Sequence, residues 1–564
     1  MATVSAPAIV IAAPASGSGK TTLATGLIGA LRRAGHEVAP FKVGPDYIDP
    51  GYHGLSAGRP GRNLDPVLVG EDRVVPLYRH GAHGCDIAVV EGVMGLFDGR
   101  IDEHRTEAVA EGSTAQVASL LGAPVVLVVD ARGHSQSLAA LLHGFATFDS
   151  SVRLGGVILN RVGSERHEQV LRSACDRVGI PVLGVLPRMT ELEVPSRHLG
   201  LIPAVEHGTA ATRAVDAMTT LVAAHVDLSA IVALAGGSVQ GPAWDPLTEL
   251  AAAADRAVTD REQPSGELGG SPSTARTPHD PAPAILSERS PLPTDPNAQA
   301  AATLSGRTLP SSTEPGVTAG MAEFAHAANR PVEPARTGRT TTITDATAGD
   351  RLTRIGGPVI AMAGGAAFTF GYAEHRELLL AAGAQVVVFD PLTDELPENT
   401  AGLVLPGGFP EEHAAQLSAN VRLRSAIADG ATHGLPIHAE CAGLLYLTRS
   451  LDGHPMAGVI DADAEFGPRL TLGYRDAVAL HDSVLWQAGA RVRGHEFHRT
   501  RLLQAGTADT AWGWRTTVSV SEGAVVGQVH ASYLHTHPAG NPDAIRRFVD
   551  AAGRFDLTAD RGRR

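Results

Sequence analysis

Two α/β domains built on parallel sheets and separated by a long linker are what this sequence predicts, on three observations. Short apolar runs alternate with helical patterns from the N-terminus onward, which is the signature of strands covered on both faces by helices. A glycine-rich turn, Ala12 to Thr22, joins the first run to the first helix. A tract rich in Pro, Ser, Thr, Ala and Gly, from Thr259 to Arg354, then interrupts the pattern before it resumes at Pro358. At 564 residues the chain is too long for one core, and two or three domains are expected. The expected divisions are 1–258, a linker at 259–354, 355–552, and a C-terminal tail at 553–564.

The first domain opens with Ala8-Ile9-Val10-Ile11, a short buried strand, and Leu23 to Arg33, whose apolar residues recur at helical spacing. Between them lies Ser16-Gly17-Ser18-Gly19-Lys20-Thr21-Thr22, a phosphate cradle. Backbone amides of such a turn point at phosphate oxygens, the lysine neutralises them, and the hydroxyl after it ligates Mg²⁺. The usual pattern has glycine where this chain has Pro14. Further strands are expected at Glu37–Lys42, Cys85–Val90, Val125–Val129, Gly156–Leu159 and Val182–Val185, with helices over Ser137–Leu142 and His167–Leu171. Ligands in such sheets sit beyond the carboxyl ends of the strands. There the sequence places Asp46, after the second strand, and Glu91, after the third. With Thr21 they make an oxygen set suited to a nucleotide-bound Mg²⁺. Lys42 is positioned to stabilise a transferring phosphoryl group. Asp49 and Asp98 are candidates to face the substrate.

The Thr259–Arg354 tract has few large apolar residues and many Ser-Pro, Thr-Pro and Asp-Pro breakers, so it cannot bury enough surface to offset its ordering entropy. It reads as a disordered linker with one helical turn at Met321–Phe324. About 95 flexible residues span roughly 55 Å root-mean-square.

The second domain repeats the alternation, with strands expected at Pro358–Ala363, Gln385–Phe389, Gly402–Pro406 and Leu435–His438, and helices over Tyr372–Gly383 and Val421–Gly430. A more β-rich region follows, through Val518–Val520 and Val525–Val529. The informative piece is Pro436-Ile437-His438-Ala439-Glu440-Cys441-Ala442-Gly443, a strand running into a helix with a cysteine at the bend. Such an elbow exposes the side chain, and the helix N-terminus is expected to lower the thiol pKa. A base is sought in Val529 to Pro538, and an oxyanion hole in the backbone of Gly407 and Gly408. His433 and His438 read as solvent-facing or core histidines.

Composition narrows the partners. A formal charge of −14 with no long Lys/Arg block argues against nucleic acid. Three cysteines without metal-ligand spacing argue against a disulfide scaffold. The N-terminus lacks the basic segment of a signal peptide and no apolar run reaches membrane-spanning length, so a cytoplasmic protein without a membrane partner is expected. Homo-oligomerisation is left open.

These residues closely resemble the cobyrinic and hydrogenobyrinic acid a,c-diamide synthases. The matching stretches are Ala13 to Thr22, Lys42 to Pro50, Arg62-Asn63-Leu64-Asp65, Glu91 to Gly99, Arg197 to Leu201, Leu405 to Gly408, Glu440 to Gly443 and Ser532 to His535. The resemblance implies a dethiobiotin-synthetase-like P-loop domain, whose kinship suggests Asn160 as an adenine contact. It also implies a class I glutamine amidotransferase domain. Cys441 attacks glutamine in that picture, His535 is the base (His537 the second choice), and ammonia passes to the first domain. There ATP activates a corrinoid carboxylate, and Lys42 with Mg²⁺ serves the transfer. Tyr47, Asp49, Arg59, Arg62 and Asp98 are the substrate-binding candidates. Complete triads of this class often end in His-Pro-Glu, whereas His537-Pro538 is followed here by Ala539, so no third carboxylate is expected. The partners implied are a corrinoid polycarboxylate, ATP and L-glutamine, and likeness to actinobacterial members favours the metal-free hydrogenobyrinic acid. A ligase for another tetrapyrrole, such as a nickel sirohydrochlorin, and a P-loop switch ATPase are the competing readings.

Overall fold

The computed structural model describes residues 5–101, 108–188, 196–197, 200–201, 203–237, 239–262, 356–503, 506 and 508–563. Segments 1–258 and 344–564 form one compact unit. The expected linker lies outside the described residues, except where the helix Pro246–Glu262 runs past Thr259. The helical turn expected at Met321–Phe324 also lies outside them.

The first half carries β1 (Ala8–Ala12), β2 (Val38–Val43), β3 (Arg62–Leu64), β4 (Ile87–Glu91), β5 (Val125–Asp130), β6 (Leu154–Val162) and β7 (Val182–Pro187). They form a parallel sheet in the order β3-β2-β4-β1-β5-β6-β7. Helices α1 (Lys20–Arg33) and α2 (Asp49–Ala57) follow β1 and β2. Every residue of β1, β2 and β4 is buried, which is why these strands read as continuous apolar runs. Register puts Ile11 beside Glu91 and Lys42 beside Glu91, so the acidic strand end lies between the two basic turns. Sequence pattern gave no hint of β3, because Arg-Asn-Leu is too short and too polar to register as a strand. It also gave no helix beyond Val185, where the structure has Thr209–His225 and Leu228–Leu234.

A short pair, β8 (Ser196–Arg197) and β9 (Gly200–Leu201), precedes the second half. That half contains β10 (Val359–Ala363), β11 (Gln385–Phe389), β12 (Thr400–Leu405), β13 (Ile437–Glu440), β14 (Ser450–Leu451), β15 (His454–Pro455), β16 (Asp463–Ala479), β17 (Arg491–Leu503), β18 (Trp512–Arg515), β19 (Ser519–Glu522), β20 (Ala524–Val526), β21 (Val529–Ser532) and β22 (His535–Thr536). One sheet runs β11-β10-β12-β13-β21-β20, antiparallel only at its β20 edge. The Val525–Val529 run is thus two strands, broken at Gly527, whose φ of 57° suits a tight turn. A second sheet is built on the long antiparallel pair β16–β17, with β22 added at its edge. The helix Pro542–Arg563 packs Ile545, Phe548, Val549 and Ala552 inward and continues through the residues expected as a tail. No helix among the described residues is long and apolar enough to cross a membrane.

The two halves meet along the edge strand β3. Arg62, at its start, donates to Glu374 at 2.6 Å and also pairs with Glu377. Asp65, just past its end, accepts from the Tyr474 hydroxyl at 3.0 Å. Between them Tyr47 and Tyr372 share a hydroxyl hydrogen bond of 2.9 Å. Glu374 is buried, so Arg62→Ala leaves a carboxylate without its cation, a loss of about 3–5 kcal/mol for a buried pair. A clearly lowered melting temperature of the full chain is expected; an unchanged one would mean the pair contributes nothing.

Candidate active sites

The turn after β1 is held open by two left-handed glycines, Gly17 (φ 77°) and Gly19 (φ 95°). Asn160, at the end of β6, donates from Nδ2 to the Ser18 carbonyl at 2.9 Å. A Cβ on Gly19 would lie 2.3 Å from that nitrogen, so this glycine is required twice over. Ser16 and Gly17 are exposed, Thr22 half-buried, and the Ser18 hydroxyl is turned back to the Ala15 carbonyl at 2.9 Å. Lys20 donates to the Met94 carbonyl at 2.5 Å, from the turn after β4. In the same turn Asp98 accepts from the Gly95 amide at 2.9 Å.

Beside the turn is a buried network. The Thr21 hydroxyl lies 2.7 Å from Glu91 Oε1 and 3.2 Å from Asp49 Oδ2. Lys42 Nζ is 2.7 Å from Asp49 and 3.0 Å from Glu91. His53 Nε2 is 2.7 Å from Glu91 Oε2. Burial alone would strip the Lys42 proton, but Asp49 and Glu91 outweigh it and raise its pKa. Glu91 is driven down to about 2: burial opposes ionisation, but Lys42 and His53 win. Asp49 goes the other way, up to about 7, because burial and the nearby Asp46 prevail over Lys42. Lys20 is lowered by burial and by Lys42.

Asp49, not Asp46, therefore stands at Thr21. Asp46 instead accepts from the amides of Ile48 and Asp49 at 2.8 and 3.0 Å, occupying the free donors at the start of α2. Sequence reasoning missed His53; its signal is the four-residue spacing from Asp49 on α2, which sets both on one helix face. Neither arginine expected to meet substrate is free to do so. Arg59 donates to the Gly81 carbonyl at 3.1 Å and lies against Cys85, at the amino end of the sheet. Arg62 is held by its two glutamates in the seam. Among the described residues no three His, Cys, Asp or Glu side chains gather closely enough to hold an ion by themselves. Two carboxylates and a hydroxyl are what the first site offers.

In the second half β13 ends at Glu440, and Cys441 adopts φ 48°, ψ −96° before the helix Ala442–Leu447. That left-handed, non-glycine conformation costs on the order of 1–3 kcal/mol. It is held by the Cys441 amide donating to the Ser532 carbonyl at 2.7 Å. Cys441 is 2% exposed, and its sulfur receives the amides of Ala442 and Gly408. Burial, with Glu411 adding, still pushes the thiol pKa up, so the expected lowering by the helix does not prevail. The reason is desolvation: two amides do not replace the water a thiolate loses.

His535 lies on β22 beside the same turn. A Cβ on Gly407 would come within 2.3 Å of its Cε1, which brings the histidine and the Gly407–Gly408 turn together. Its ring packs on Tyr47 (centroids 5.0 Å) and Phe370 (6.2 Å), and among the described residues neither ring nitrogen has a hydrogen-bond partner. Its Nδ1 is 3.7 Å from Glu440 Oε2. His537 faces elsewhere, onto Tyr372 at 4.1 Å, with Nδ1 accepting from the Ala539 amide at 3.2 Å; burial takes its pKa down to about 4.

Residues 9–202 match the family model described as a CobQ/CobB/MinD/ParA nucleotide binding domain, and residues 359–542 match the CobB/CobQ-like glutamine amidotransferase domain. The hydrogenobyrinate a,c-diamide synthase of Mycobacterium tuberculosis is 52% identical over 544 residues, 96% of this chain and 97% of that relative. That of Streptomyces coelicolor is 51% identical over 547 residues, again 96% and 97%. The cobyrinate a,c-diamide synthase of Synechococcus sp. is 35% identical over 552 residues, 96% and 98%. The chain belongs to the a,c-diamide synthase family.

In this family member the nucleotide-binding half contains the glycine turn and the buried lysine network, and the amidotransferase half contains the cysteine elbow. Gly19→Ala should abolish ATP binding, since the new methyl meets Asn160 and the backbone must leave the left-handed region. Calorimetric titration with ATP reads this, and wild-type affinity would refute the close approach.

Proposed function

We propose that the chain amidates the a and c acetate carboxylates of hydrogenobyrinic acid in cobalamin biosynthesis, in the cytoplasm, using ATP and glutamine. One observation carries the choice of substrate. Identity is 51–52% to the M. tuberculosis and S. coelicolor hydrogenobyrinate enzymes but 35–37% to the Synechococcus and Gloeobacter violaceus cobyrinate enzymes, over nearly the whole chain in each case.

Glutamine is hydrolysed at the elbow. His535 takes the Cys441 proton, the sulfur attacks the carboxamide carbon, and the oxygen charge develops towards the amides of the Gly407–Gly408 turn. The C–N bond breaks as His535 returns the proton to the departing ammonia, and water then releases glutamate from the thioester. At the other site, the Ser16–Thr22 amides and Lys20 cradle the triphosphate, with Asn160 bracing the turn beside the adenine. The hard oxygens of Thr21, Asp49 and Glu91, with Asp46 nearby, fit Mg²⁺, which when bound neutralises phosphate charge. Lys42 pairs with Asp49 and Glu91 and adds positive charge where the phosphoryl group transfers. Tyr47, expected to meet substrate, is instead buried against Phe370, His535 and Tyr372. A ring carboxylate, with Asp98 as its neighbour, attacks the γ-phosphorus and expels ADP. Ammonia then displaces phosphate from the acyl phosphate to give the amide.

Cys441→Ala should lose glutamine-supported amidation and retain the reaction with ammonium salts at a pH that supplies free NH₃. Lys20→Ala should lose both. Mass spectrometry of products from hydrogenobyrinic and cobyrinic acids, with ATP, Mg²⁺ and either nitrogen source, tests all of this. Amidation of the cobalt-bearing acid alone would overturn the substrate, and a dead ammonia reaction in a folded Cys441→Ala protein would overturn the division of labour.

A further inference from the structure

We infer that Glu440, the residue immediately before the nucleophile, is the positioning carboxylate of the glutaminase site, completing a Cys441–His535–Glu440 set. The inference rests on the assignment of Cys441 and His535 above. It replaces the expectation that this site has no third carboxylate: the acid comes from the elbow strand, not from the position after a His-Pro pair.

The geometry points to Glu440 in three ways. One carboxylate oxygen is anchored, with Oε1 accepting from the Thr536 amide at 3.1 Å and its hydroxyl at 3.0 Å, and lying 3.3 Å from His438 Nε2. Thr536 is the residue after His535 on β22, so the side chain is tied to the strand that carries the base. The second oxygen, Oε2, is thereby left facing His535 Nδ1 at 3.7 Å. That is longer than a hydrogen bond, as catalytic contacts often are before substrate binds. His535 is fully buried, and among the described residues neither of its ring nitrogens has a competing hydrogen-bond partner. Burial opposes ionisation of Glu440, but His438 and His535 hold its pKa well below the usual carboxylate range.

Such a carboxylate fixes the tautomer. With the proton on Nδ1 directed at Glu440, Nε2 is left as the lone-pair nitrogen that accepts the Cys441 proton. Nδ1–H stays in place throughout, and the imidazolium formed during attack is stabilised by the adjacent charge. The proton on Nε2 leaves with ammonia as the C–N bond breaks, and water hydrolyses the thioester to restore the thiol.

The test uses the full chain. Glu440→Gln keeps the size and the acceptor for Thr536 but removes the charge and sets an amide against Nδ1. Glutamine hydrolysis should fall ~10²–10⁴-fold in kcat, with KM for glutamine little changed and amidation from ammonium salts retained. Glu440→Asp should recover part of the loss. Full glutaminase activity in Glu440→Gln overturns the proposal. So does a fall in both activities with a lowered melting temperature, or an aspartate variant no better than the glutamine one, since either marks a structural brace. Cys441→Ala and His535→Ala run alongside: glutamine hydrolysis surviving in either would refute the underlying assignment itself, whatever Glu440 does.

Discussion

Lys42 is the fixed point of the molecule. Its ammonium is almost wholly buried between Asp49 and Glu91, and a charge so placed survives only while both partners stay. The requirement ties the end of β2 to the end of β4 and to the start of α2, which are the elements that flank the glycine turn. The turn between β2 and α2 is consequently fixed at both ends. Asp46 locks its middle by accepting the Ile48 and Asp49 amides, and Tyr47, the residue after it, is buried.

Tyr47 is where that constraint reaches the other half of the chain. Its ring lies against Phe370 at 4.9 Å and His535 at 5.0 Å, and its hydroxyl is taken by Tyr372. The histidine beside the elbow is therefore packed by a residue whose backbone belongs to the nucleotide-binding half. In the proposed mechanism this histidine takes the Cys441 proton, so the packing of its ring bears on that step. The packing of His535 and the geometry of the buried lysine are thus linked through one short segment.

What the sequence disclosed, and what it withheld, follows from the range of the interactions. The glycine turn, the buried strands and the cysteine bend are written in contiguous residues, because backbone shape and burial on both faces are decided locally. Partners that meet only after folding were not legible. His53 and Glu91 are on different elements, as are Glu440 and His535, and Arg62 looks like a substrate-binding arginine until Glu374 and Glu377 arrive from the other half. Aspartates near a glycine turn are similarly ambiguous. Asp46 and Asp49 are equivalent by spacing, and the start of α2 is what makes one a cap and the other a site residue. The long β16–β17 pair escaped because its strands are only partly buried and mix charged with apolar residues.

The seam itself has the layout of a permanent contact. Tyr47, Ile48, Tyr52, Phe370, Tyr372 and Phe409 form one buried cluster drawn from both halves. Around it stand the polar pairs Arg62–Glu374, Tyr474–Asp65 and Arg493–Glu111, the last at 3.1 Å. An aromatic centre with a polar rim excludes water where the two halves touch. That property matches the chemistry proposed for them. Ammonia released into water is protonated and lost as a nucleophile, whereas ammonia released into a dry, aromatic seam stays neutral and keeps its lone pair. A reaction split between a cysteine elbow and a phosphate-binding turn needs such a boundary, and the tyrosine that stacks on His535 is one of the residues that build it.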